Sequence, residues 1–505
     1  MATGGISLLL HDGSVLIIFI EFGMMLADEA ALHSAYQFKG ASGLKNCALC
    51  SNVFNWRSAR DAVAADTTGI SRYHTCCELR DLRLHTRATL TAIVKRLAAA
   101  AAAGMSRRNL EELETRLGFN YIPDGIMQDN VLRALADPTE HLLYDTMHIY
   151  YVNGIFGNHV GRLLEALKPH GITYATLRTY VSHWTWPSNV KKQSLTDPLE
   201  GKRAKSSWDD GVFKCTASEA LSLMPVVAQF VEASVLAMAS ADARRHGACF
   251  MLLINVLQLI EKSARGATTP ANLQRAIVAH LRTFKALYGD EWMPVKFHMS
   301  IHLPMFLQRW GFLPNCFVLE RKHRVPKKYA NDMRNTSGDW EKSVLRECTA
   351  AHFAELERNT THFQAAACLI DAFAPKAAML KTLLSALGVH HIPDAHHGIE
   401  LTTARTARIN EWETCAKQDV VLIKSGVDEF VAQIRFFVSI HDRAAAHDHT
   451  LAGVERWRKV AAGNRCSKWQ RSVDDLKLVV VDEIACSLIW ADSGGLASVL
   501  APSRL

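Results

Sequence analysis

The stretch Val15-Leu-Ile-Ile-Phe-Ile-Glu-Phe-Gly-Met-Met-Leu-Ala-Asp28 decides how this chain is read. Residues 14 to 27 are dominated by Val, Ile, Leu, Phe and Met and then stop at a carboxylate. That is the pattern of a covered strand delivering an acid at its C-terminal end, the end at which α/β folds place their chemistry. The most apolar part, Val15 to Ile20, lies between Asp12 and Glu21. It is too short to span a bilayer, which takes about 20 apolar residues, so it is expected to be a buried strand.

Residues 33 to 85 carry Gly40, Gly43, four cysteines and several histidines without a clear period, which predicts a metal-organised or loop-rich insertion. Helical signals then dominate from roughly 86 to 310. They include the alanine run Ala98 to Ala103, a plausible cap at Ser106 with a terminal Gly118, a capping box at Thr216 and Glu219, and Thr269-Pro270 as cap and first helical position. Within this region the polar segment Ser188 to Asp210, with Gly201-Lys-Arg-Ala-Lys205, reads as a basic loop. After about 415 the pattern shifts to strand-like runs, Asp419 to Ile423, Phe430 to Ile440 and Leu476 to Trp490. The expected organisation is residues 1–85 with strands and a CxxC loop, 86–310 helical, 311–415 a charged helix and helical extension, and 416–505 a small β-rich module.

A chain of 505 residues exceeds one comfortable core, and 49% hydrophobic against 21% charged residues describes ordered globular units. The net charge of +7 is modest for this length, so a nucleic-acid surface has to come from local Lys/Arg clusters. Twelve scattered cysteines and no cleavable signal pattern point to a reducing compartment, with no membrane span and no secretion.

Cys47-Ala-Leu-Cys50 places two thiols on one tight turn, half of a tetrahedral zinc site. Two pairs are available to complete it. His74 with Cys76 would make a local knuckle, whereas His298 and His302, four apart and expected on one helix face, would make a long-range staple. Free thiols and ordinary helix histidines are the bland alternative.

Downstream, Phe317-Val-Leu-Glu320-Arg-Lys-His-Arg-Val-Pro-Lys-Lys-Tyr-Ala sets an acid beside Lys322, Arg324, Lys327 and Lys328. A carboxylate next to phosphate-binding cations suits a metal-dependent, DNA-cutting helix, and equally a solvated charged helix. Asp145, just before the helix-like run Thr146 to Leu167, is a ready N-cap. Trp184, Trp186 and Trp208 lie near the basic loop and could stack on bases, though tryptophans more often fill cores.

The order Asp28, then CxxC nineteen residues later, a long helical insertion, an HxxxH pair and finally Glu320 resembles the catalytic region of CACTA-type DNA transposases and the related V(D)J recombinase core. Tyr144-Asp145-Thr146-Met147-His148 looks like that family's DxMH element, and Phe213-Lys-Cys-Thr-Ala-Ser-Glu-Ala-Leu falls where the family has a comparable segment. The resemblance spans roughly residues 12 to 345. It implies an α/β fold with a partial RNase H-like core interrupted by a helical insertion. It also implies three acids holding two Mg²⁺ or Mn²⁺ ions for in-line phosphoryl transfer. By the same resemblance Asp28 would be the second acid, Glu320 the third, and Cys47, Cys50, His298 and His302 a structural zinc site. DNA, further copies of the chain and a nuclear location would follow, or a cytoplasmic one if the protein is inactive.

The departure is the first acid, which the family carries on an earlier strand. Asp12 is the only aspartate upstream of Asp28, but its Asp-Gly context reads as a turn, and the 16 residues from Asp12 to Asp28 leave little room for intervening strands. The active site is therefore expected to be incomplete. The competing expectations are a non-catalytic, zinc-stabilised DNA-binding or scaffold protein, and a helical protein with a knuckle of Cys47, Cys50, His74 and Cys76.

Overall fold

The computed structural model describes residues 6–9, 13–19, 22–41, 43–58, 70–317, 324–332, 340–358, 367–376, 381, 399–410, 413–442, 447–463, 465–471 and 476–503. Among them the chain is mixed α/β, with a helical body and a β-rich C-terminal region.

The apolar run that opens the chain is longer than the usual strand of about 5–6 residues, and it divides in two. Val15–Ile18 pairs antiparallel with Ile6–Leu9. Val15, Leu16 and Ile17 are exposed, so this segment is a strand but not a covered one. After the break at Phe22-Gly23, Met25–Ala27 forms a second, half-buried strand, and Asp28 follows it as the N-cap of the helix Glu29–Tyr36.

Met25–Ala27 lies parallel to Leu142–Tyr144, with Ala27 opposite Tyr144. The partner strand sits inside the stretch expected to be mostly helical; three apolar residues carry no period of their own. A parallel pair needs a crossover, and here it holds the CxxC region and the helices Arg87–Ala102 and Arg107–Leu117.

The helical body follows its caps. Thr86, Ser106, Thr216, Ser240 and Thr269 each accept a backbone N–H of the first turn, satisfying donors that a helix start leaves orphaned. Ile155–Leu167, Ala241–Ser263 and Pro270–Tyr288 are its central helices, with Phe156, Phe250 and Phe284 fully buried. Part of the expected basic loop is instead the helix Gly201–Asp210, which turns Ser207 inward and its lysines outward. Trp184 and Trp186 are buried, the core role favoured for them, and Trp208 stacks edge-on with Tyr174 beneath Lys168.

Strands dominate from Cys368–Ile370 onward, ahead of the expected boundary at 416, because the short runs Ile399–Ala404 and Thr406–Arg408 are too brief to show alternation. The long, bent strand Asp428–Asp442 organises a six-stranded antiparallel sheet, and a four-stranded sheet ends in Leu496–Leu500. The region docks on the helical body at defined points. Thr185 and Trp490 exchange both backbone hydrogen bonds, at 2.7 and 3.1 Å. Ser188 donates its backbone N–H and hydroxyl to Asp419 at 3.0 and 2.8 Å. Ile489, Ala491 and Leu500 join the main hydrophobic core.

Candidate metal centre

Cys47 and Cys50 sit on an irregular turn pinned at both ends. Ser51 N–H donates to Arg83 and His85 N–H donates to Leu49, at 2.8 and 2.7 Å, so the turn is fixed against residues 83–85. The CxxC region then docks on the far helices. His74 Nε2 lies 2.9 Å from the Met293 carbonyl, Lys285 reaches the Thr75 carbonyl, and Arg282 pairs with Glu78.

This docking carries the thiols to the turn that holds His298 and His302. The two imidazoles do not share one continuous helix. His298 lies in Val295–Ser300 and His302 in the turn before Leu303–Trp310, where Pro304 opens the new helix. The nearly helical path still brings both rings to the same side, with their Nε2 atoms 3.3 Å apart.

All four side chains are buried, and their donor atoms lie within 4.8 Å of one another. His302 Nε2 is 3.4 Å from Cys47 Sγ and 3.6 Å from Cys50 Sγ. A tetrahedral zinc with bonds of about 2.0–2.1 Å to nitrogen and about 2.3 Å to sulfur separates N from N by about 3.3 Å and N from S by about 3.5 Å. The observed edges fit that figure, so the cluster can hold a metal ion such as zinc.

Burial alone raises a thiol pKa, but the hydrogen bond with Cys50 and the two nearby imidazoles hold the Cys47 thiol well below its ordinary value. The same bond with Cys47, with burial added, pushes Cys50 well above it. The pair therefore keeps one proton, which a cation would displace. The Tyr144 hydroxyl stands 3.7 Å from Cys47 Sγ as an outer-shell partner. Sequence reasoning missed Tyr144; its position at the head of the DxMH-like element was the available signal.

The local knuckle is not formed. His74 Nδ1 meets the Asn46 amide and Trp56 N–H at 3.1 and 3.2 Å, and Cys76 Sγ turns to the Glu78 carbonyl. These contacts commit both residues to holding the loop.

Asp28 accepts Ala31 N–H at 2.6 Å. Asp145 is the N-cap of Thr146–Tyr150, as its place before that run predicts, and its side chain is fully buried. One carboxylate oxygen accepts Met147 N–H and Cys316 N–H; the other accepts His148 N–H and lies 2.5 Å from His148 Nδ1. With about four acceptor sites on a carboxylate, all are taken. Asp145, His148 and Cys316 lie close enough to hold a cation, but the filled acceptor sites make Asp145 an orienting group for His148. Asp12, Glu320 and Lys322 lie outside the described residues. Lys327 and Lys328 are exposed on the helix Arg324–Asp332, whose first residue is Arg324.

A cleft of about 1320 Å³ opens between the helical body and the β-rich region, with His148 among its lining residues. Among the described residues no helix is long and apolar enough to cross a membrane. Comparison with known protein families, curated proteins and solved structures finds no match for this chain.

Proposed function

We propose that this protein is a transposase-like DNA-binding protein of CACTA type whose Cys47, Cys50, His298 and His302 hold a structural zinc. The observation that carries the reading is the meeting of a CxxC turn with an HxxxH turn from the opposite end of the helical body, in tetrahedral spacing. With four protein ligands and no open position, zinc there would fasten the fold without taking part in chemistry. The parallel pair of Met25–Ala27 with Leu142–Tyr144, with Asp28 following the first strand, adds support, since an RNase H-like core would need such a pair.

Two-metal phosphoryl transfer would fall to Asp28 and Glu320 with Mg²⁺ or Mn²⁺, together with a first acid. The capping bonds of Asp28 and Asp145 favour the non-catalytic form of the reading, in which the chain binds DNA or scaffolds an assembly as a homo-oligomer.

The test is zinc stoichiometry by elemental analysis, with duplex binding measured on the same preparations. One zinc per wild-type chain, lost in His298→Ala/His302→Ala, and salt-sensitive DNA binding are expected. No zinc, or zinc that survives both substitutions, would overturn the architecture; absence of DNA binding by the zinc-loaded chain would overturn the function.

A further inference from the structure

The cleft between the helical body and the β-rich region belongs neither to the metal centre nor to the basic helix at 324–332. Its volume of about 1320 Å³ exceeds the roughly 300–1,000 Å³ of a small-molecule pocket, so an extended ligand fits it better than a metabolite. We propose that it takes a short unpaired stretch of a nucleic-acid strand. This rests on the reading of the protein as a DNA binder and assigns that ligand a place.

Three sets of lining groups carry the assignment. His148 and Phe317, both partly exposed, present planar rings, which can stack on any base. Asn153 and Asn189 add exposed amides, whose paired donor and acceptor match base edges. Lys202 and Lys214 supply charge for the phosphates. The field is moderate, since Lys214 pairs with Asp210, Arg203 with Glu219, and Glu413 lines the opposite wall.

Two buried donors in the lining support a ligand. Trp186 Nε1 and Ser487 Oγ have no hydrogen-bond partner among the described residues, although their residues are only 8% and 2% exposed. An unmet buried donor is unfavourable, and an acceptor that reached either one would satisfy it. A duplex keeps its bases stacked inside, whereas unpaired bases can be splayed onto rings and amides.

The experiment is fluorescence anisotropy of the zinc-loaded full chain with a labelled twelve-nucleotide single strand and with the matching duplex, over a salt series. The proposal expects Lys202→Ala/Lys214→Ala to weaken single-strand binding at least tenfold while leaving duplex binding within twofold. With about 0.7 counterions released per phosphate contact on a single strand, the log–log salt slope should fall by about 1.4. Both lysines are at the surface, and an unchanged melting curve verifies the fold. If the variant binds both forms like wild type, the cleft is not the site and the DNA-binding reading stands. If the wild-type chain binds neither form, both fall.

Discussion

Asp28 and Asp145 stand level with each other, each one residue beyond the paired Ala27 and Tyr144 at the C-terminal ends of two adjacent parallel strands. Both carboxylates turn back to cap the helix that follows, yet their commitments differ. Asp28 receives one capping bond at a partly exposed site, and Asp145 receives four bonds in a fully buried one. Loss of an ordinary cap costs about 1 kcal/mol, the effect expected for Asp28→Ala. Asp145→Ala strands several buried donors and should cost roughly 3–5 kcal/mol. Urea midpoints of the two variants check this, and equal costs would contradict the buried network.

Tyr144→Phe removes the hydroxyl beside Cys47 and leaves all four metal donors in place. Outer-shell partners are worth about 10–100-fold in metal affinity, so the variant should keep one zinc per chain but yield it to a competing chromophoric chelator at about a tenfold lower chelator concentration. An unchanged competition curve would mean that Tyr144 only packs there.

Acid should weaken the fold from near neutrality. Burial lowers His74 and His85 to about 4, and His280, which bonds His159, to about 3. The unfolded chain takes protons on these rings below about pH 6.5 and the folded chain does not, so their contribution to stability is whole above that pH and drains away as pH falls towards 4. Each group contributes a slope of up to about 1.4 kcal/mol per pH unit. Urea titrations at pH 7, 6 and 5 should show the decline, with a shallower slope in His280→Gln.

Gly157 and Gly161 let the helix Ile155–Leu167 lie directly on the backbone at 211–213. A Cβ at Gly157 would stand 2.5 Å from the Phe213 carbonyl oxygen, and one at Gly161 2.4 Å from that of Gly211. Alanine usually favours a helix, but backbone cannot retreat as a side chain can. Each substitution should therefore destabilise by about 1–3 kcal/mol, whereas Gly104→Ala, in open space but at positive φ, should cost less. Thermal melts of the three variants provide the comparison.

The metal donors were legible in the sequence because cysteine and histidine pairs at short fixed spacing are rare and chemically specific. The choice between His74/Cys76 and His298/His302 was not, since it depends on how residues 74–78 dock against 282–293. The strand Leu142–Tyr144 escaped notice because three residues show neither period, and its identity comes from pairing with Met25–Ala27. Gly201–Asp210 reads as a loop by charge and folds as a helix because Ser207 faces the core. The cleft could not be read at all. Its walls come from residues 147 to 503, and only the docking through Thr185–Trp490 and Ser188–Asp419 brings them together.

The separation of the two halves of the metal centre also sets a timetable. Cys50 leaves the ribosome 248 residues before His298, and at roughly 5–20 residues per second that is an interval of about 12–50 seconds. Throughout it the nascent chain carries a pair of thiols whose imidazole partners have not yet been made. A metal ion captured by these four side chains could then act only as a late checkpoint, closing after residues 298–302 have been synthesised. A chain stalled or cut short before residue 298 would display an unfilled dithiol, a chemical mark by which incomplete products differ from finished ones.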